Sequence, residues 1–168
     1  MTLDRARQAF AVYFRPRLLL ILVLGFASGL PLLLTSSTLS IRLRESGVDL
    51  AAIGALSLVG IPYSLKFLWA PLLDRLPIPG LTARMGRRRG WMLAIHVVLI
   101  AAIAALGAID PGVANGATET GGDPAAVLAI AGIALLVAFL SATQDIAIDA
   151  YRVEVLDEAE YGAGAAMA

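Results

Sequence analysis

The sequence predicts an all-α membrane protein of four transmembrane helices, with both termini on the cytoplasmic side. Three observations predict it. Of 168 residues, 59% are hydrophobic and 15% are charged, where a soluble domain carries about 25% charge; the mean hydropathy is +0.82. Long apolar runs recur between short polar turns, and about 20 apolar residues are enough to cross the hydrocarbon. The basic residues cluster. The stretch Pro62 to Trp91, PYSLKFLWAPLLDRLPIPGLTARMGRRRGW, ends an apolar run at Asp74-Arg75, passes through Arg84, Arg87, Arg88 and Arg89, and opens a new apolar run at Trp91. Arginine in a short turn between spans holds that turn in the cytoplasm.

Residues 1–17 alternate Arg5, Arg7, Arg15 and Arg17 with Phe10, Val12, Tyr13 and Phe14, and Asp4 is placed to cap a short helix. They are expected to form an amphipathic cytoplasmic segment lying in the interface. The charged part is too long, and the apolar run after it lacks a small-x-small site, for a cleaved signal peptide.

Leu18 to about Ile41 forms the first span. Gly25 and Gly29 permit close helix approach, and Pro31 interrupts the hydrogen-bond ladder. The hydroxyls of Thr35-Ser36-Ser37-Thr38 either line a watery path or satisfy backbone groups freed at the proline. Arg42 to Asp49 reads as a turn of mixed charge. Leu50 to about Leu73 is the second span, breakable at Gly54, Gly60 and Pro62, with Trp69 near the depth where indoles anchor. Pro77 and Pro79 forbid one continuous helix through the basic turn 74–90. Trp91 to about Ile109 is the third span. The loop DPGVANGATETGGDP at 110–124 carries no Lys or Arg, which places it outside. Ala125 to about Ala150 is the fourth span, and Gly162 to Ala168 has the composition of a fifth span beginning.

Charges within spans are costly and mark function. Here they are Lys66, the only lysine, and Asp145 and Asp149. Lys66 lies about 24 Å along the second span and Asp145 about 30 Å along the fourth, so both fall in the cytoplasmic half. That estimate gathers Lys66, Asp74, His96, Asp145, Asp149 and Arg152 into one layer. Ser141, Asp145, Asp149 and Arg152 follow helical i, i+4 and i+3 spacing and share a face. The layer reads as a salt-bridged gate, with Asp145 paired to Lys66 and Asp149 to Arg152, as a proton carrier, or as a direct substrate contact. His96 reads as a satisfied polar residue. With no cysteine and one histidine, disulfides, thiolate catalysis and Cys or His metal clusters are excluded. No cofactor, catalytic residue, metal site or nucleic-acid partner is expected.

LKFLWAPLLDR, GRRRGWML and SATQDIAIDAYRVE, with GFASGLPLLLTSSTLS in the first span, together resemble the AmpG-type muropeptide permease branch of the major facilitator superfamily, which is similar to acetyl-CoA transporters. The superfamily motif G-x3-D-[RK]-x-G-[RK]-[RK] matches at Asp74-Arg75. Ala70 replaces its first glycine, and Gly86, Arg87 and Arg88, followed by Arg89, match after an insertion. The resemblance implies that residues 18–168 are part of an N-terminal six-helix half whose missing C-terminal helices complete the transporter. It implies import of anhydro-muropeptides with protons across the inner membrane, for cell-wall recycling and β-lactamase induction. It implies that Asp74 locks the cytoplasmic gate. Read from the residues, the candidate pathway or gate set is Lys66, Asp74, Arg75, Gln144, Asp145, Asp149 and Arg152. The family's fourth-helix arginine motif is absent; Asp145 and Asp149 stand there instead. The rival readings are a carrier of acetyl-CoA or another anionic metabolite, and a small four-helix assembly protein. A metal enzyme built on the Asp pair is disfavoured, because no His or Cys joins it.

Overall fold

The computed structural model describes residues 11–111 and 123–167. Asp4 and most of the 110–124 loop lie outside the described residues. Among the described residues 88% of the chain is helical and no strand occurs. Four helices are long and apolar enough to cross a membrane: α1 (Pro16–Glu45), α2 (Leu50–Leu68), α5 (Arg87–Ala108) and α6 (Pro124–Val155). Short helices α3 (Ala70–Arg75) and α4 (Leu81–Met85) occupy the basic turn, and α7 (Tyr161–Met167) closes the described chain.

Helix α1 starts at Pro16, whose fixed φ suits the first helical position. It runs through Pro31 and past the expected end at Ile41. The turn after the proline widens into a π-helical segment over Leu34–Thr38. There Thr35, Ser36 and Ser37 donate to the carbonyls of Pro31, Leu32 and Leu33 at 2.8, 2.6 and 2.7 Å. The hydroxyl run therefore bonds backbone carbonyls at the wider turn that follows the proline. Arg42 and Glu45, expected in a turn, are helical. Arg42 reaches across to the end of α5 and donates to the carbonyls of Leu106, Gly107 and Ile109 at 2.9, 3.2 and 2.6 Å. Those are carbonyls that a helix end leaves unpaired.

Asp49 caps α2 by accepting from the Ala51 N–H at 2.9 Å, and Asp123 caps α6 by accepting from Ala125 at 3.0 Å, with Pro124 following it. The breakable second span does break. It tightens to 3-10 geometry over Leu56–Gly60 and again over Lys66–Leu68, on either side of Pro62. The third span begins at Arg87 rather than at Trp91. Gly86, at φ +83°, supplies the left-handed residue that turns α4 into α5. Gly90 lets the α4 backbone approach: a Cβ there would lie 3.4 Å from the Thr82 nitrogen.

Helix α6 is the central element, packed against α1, α2 and α5. Ala134, Ala138 and Ala142, one turn apart, are fully buried on it. Small residues at this spacing let backbones come close where lipid supplies no hydrophobic drive. Toward the loop end, Leu39, Leu43, Val59, Leu106 and Ile130 pack around this row. At the basic end, Met92 packs with Ala147, Ile148 and Tyr151. Phe26, Leu33, Ile100 and Leu128 are 60–74% exposed, as residues meeting lipid or further protein are. At 32 residues, α6 is about 48 Å long. It outruns a hydrocarbon core of about 30 Å, so its charged final turns emerge at the basic end.

Candidate functional site

The break in α2 determines where Lys66 goes. Leu65 leaves helical geometry at φ −99°, ψ 2°, and the 3-10 turn that follows sets Lys66 against α6. Its Nζ pairs with Asp145 Oδ2 and lies 3.6 Å from Asp149 Oδ2. Asp149 Oδ1 is 3.2 Å from Arg152 Nη2, one turn further along α6. From α1, Ser28 Oγ donates to Asp145 Oδ1 at 3.0 Å, and Ser141 Oγ donates to the Ser28 carbonyl at 3.2 Å. Two cations thus face two carboxylates between three spans. All four are partly exposed, from 26% for Arg152 to 45% for Asp149. Each charge has a partner, which is the condition for keeping ions at this depth. The set can hold three helices together while paired and release them when one charge is neutralised or displaced.

The single layer expected from helix rise separates into three groups. Asp74 does not join Lys66. It pairs with Arg88 Nη1, and Arg88 Nε is 2.9 Å from Glu154 Oε1, so one guanidinium ties α3, α5 and α6. Arg89 sits 5.9 Å above the Tyr151 ring, and Trp91 Nε1 donates to the Leu76 carbonyl at 2.9 Å. Arg75 and Arg87 are exposed and form no ion pair among the described residues. The third group is His96 with Gln144. Helix α6 turns about 100° per residue, so Gln144 points to α5 while its neighbour Asp145 points to α1 and α2. Trp69 is not free in an interface: it packs on Phe139 at 4.9 Å between ring centroids and donates to Thr143 Oγ1 at 3.1 Å. Among the described residues no group of three potential metal ligands occurs.

Sequence reasoning overlooked Ser28 and Glu154. Ser28 carries no charge and sits in an ordinary small-residue run; only its opposition to Asp145 across α1 and α6 marks it. Glu154 was legible as a charge at the end of α6 but not as the second partner of Arg88.

Residues 17–167 match the family described as acetyl-coenzyme A transporter 1. The chain belongs to that family. It is 45% identical over 160 residues to the anhydromuropeptide permease of Escherichia coli strain K12, covering 95% of this chain and 29% of that protein. It is 42% identical over 151 residues to an uncharacterized protein of Haemophilus influenzae, covering 90% of this chain and 32% of that protein. It is 34% identical over 142 residues to a putative transporter, AmpG 4, of Rickettsia felis, covering 84% and 31%. The chain therefore spans about a third of the length of these family relatives. No solved structure matches it. The matched stretch runs from the first residues of α1 to the end of α7 and contains all three polar groups.

Proposed function

We propose that this chain is four of the spans of a transporter that imports anhydromuropeptides with protons across the bacterial inner membrane, with the Arg-rich turn and both termini of this chain in the cytoplasm. The Lys66–Asp145 pair carries the reading. Such a pair inside spans is expensive and is kept where charges must part and rejoin. The Lys66, Asp145, Asp149 and Arg152 set is read as a lock on the cytoplasmic side of the pathway. Asp74, Arg88 and Glu154 form a second lock nearer the turn, with Gly86 setting the start of α5 and Arg75, Arg87 and Arg89 fixing orientation. Opening requires the pairs to separate, and the further helices of the full-length protein supply the opposite wall. The 45% identity to a named anhydromuropeptide permease supports this substrate class. A second reading, an acetyl-CoA carrier, is favoured by the family description.

Uptake of labelled anhydromuropeptide by the full-length transporter tests the proposal. Saturable uptake that collapses with the proton gradient and is unaffected by excess acetyl-CoA is the expected result. Uptake blocked by acetyl-CoA, or none at all, contradicts it.

A further inference from the structure

A cavity lies on the side of α6 away from Lys66. Its volume is about 370 Å³, and α1, α5 and α6 line it, open on one side. Ala27, Leu30, Pro31, Leu99 and Ile103 form apolar walls, and His96 and Gln144 bring polar atoms into it. The Gln144 side chain is fully buried, and its Oε1 has no hydrogen-bond partner among the described residues.

The tautomer of a neutral His96 ring follows from its partners. Nδ1 lies 2.9 Å from the Met92 carbonyl, which can only accept, so Nδ1 carries the hydrogen. In the neutral ring Nε2 is then an acceptor, and it takes a hydrogen from Gln144 Nε2 at 3.3 Å. Gln144 Oε1 is left over. With Nδ1 donating to Met92, Oε1 could take the place of the amide nitrogen only if Nε2 carried a hydrogen as well. With the ring in this tautomer the unpaired, buried Gln144 atom is the acceptor Oε1. In hydrocarbon no water satisfies it.

We infer that this cavity is the seat of a further membrane-spanning helix, one that carries a hydroxyl or amide N–H donor to Gln144 Oε1. The inference rests on the reading of the chain as part of a longer transporter. The chain accounts for 29% of the length of the Escherichia coli relative, so several further helices are available. The walls suit a helix: mostly apolar, with Thr38, His96 and Gln144 as the polar lining, Leu33 60% and Ile100 66% exposed at the rim, and one unpartnered acceptor beside the level of Asp145. The cavity faces away from the charged set, so a polar substrate moving past Lys66 does not meet it. A single interhelical hydrogen bond in an otherwise apolar contact is a recurrent way for spans to fix register.

The test uses the full-length protein. A photo-reactive benzoylphenylalanine at position 100, irradiated in membranes, is expected to give a product of monomer mobility whose mapped peptide lies in a span beyond residue 168. Replacing the donor residue so mapped by an apolar one, and Gln144→Leu, are each expected to lower the melting temperature in detergent. The double variant is expected to melt no lower than either single one. Crosslinks to lipid alone, to a second copy, or to added muropeptide overturn the inference, as do additive shifts or a reading frame that stops at residue 168. Uptake is not measured, so a protein that seats the helix yet imports nothing removes only the functional reading.

Discussion

Ser28 Oγ donates a 3.0 Å hydrogen bond to Asp145 Oδ1 while Lys66 holds the other oxygen of the same carboxylate. One carboxylate on α6 is therefore fixed from α1 and α2 at once, and its rotamer leaves no freedom for Lys66 to wander. Ser28→Ala removes one of the two holds. A hydrogen bond to a charged group contributes about 1.5–3 kcal/mol when buried. Asp145 is 30% exposed, so about 1 kcal/mol is expected here after solvent screening. Thermal unfolding of purified protein should show the loss, and Ser28→Thr, which keeps the hydroxyl, should recover most of it.

Arg88 makes two bonds with two different nitrogens, Nη1 to Asp74 and Nε to Glu154. Lysine offers one ammonium and cannot span that fork. Arg88→Lys should therefore lose nearly as much stability as Arg88→Ala, about 1–2 kcal/mol for each, with the half-exposed acids setting the lower end. Full retention of stability by the lysine variant would mean that charge alone, without the fork, joins α3 to α6.

The reading of the basic turn depends on Gly86. A residue with a Cβ pays about 1–3 kcal/mol for the backbone there, φ +83° and ψ 161°, a region that is essentially glycine-only. Gly86→Ala should lower the melting temperature, whereas Ala83→Gly, in the exposed short helix just before it, should cost less, about 0.5–1 kcal/mol. Equal losses would show that α4 and α5 tolerate a different junction.

Glu160 docks the start of α7 onto the N-terminal segment. The hydrogen bond from the Arg15 guanidinium, helped by the Asp157 backbone N–H and the charges of Arg15 and Arg17, holds its carboxyl below the ordinary glutamate range. A lowered folded-state value means that the docking is fully present above the unfolded value of about 4.3 and is lost as pH falls through the lower, folded value. Protection of the Tyr161–Met167 amides, relative to their intrinsic exchange rates, should thus fall in acid. Glu160→Gln should show fast exchange at every pH, and retention of the acid step in that variant would assign it to another carboxyl.

Much of this fold was written in local chemistry. The span starts at Leu50 and about Ala125 were read within one residue of Leu50 and Pro124, because the runs that follow are too apolar for anything but spans. The pairs Lys66–Asp145 and Asp149–Arg152 were also legible, because helix rise alone brings them level. Helix rise carries no information about rotation, so His96 and Asp74 were assigned to the same layer although they face other neighbours. Arg42 and Trp69 were read by type, as a turn charge and an interfacial indole. Their real partners, the carbonyls at the end of α5 and Thr143, exist only once the helices pack.

The most direct test of the gate is a double-substitution cycle on Lys66 and Asp145 in the full-length transporter, read as labelled muropeptide uptake. Lys66→Ala leaves Asp145 without a cation while Arg152 stays on Asp149, and uptake should fall steeply, by about tenfold or more for a loss near 1.4 kcal/mol or above. Adding Asp145→Asn removes the unpaired charge, and uptake should recover well above the Lys66→Ala level. If the two losses simply multiply, the residues act independently, and the pair is not the lock described here.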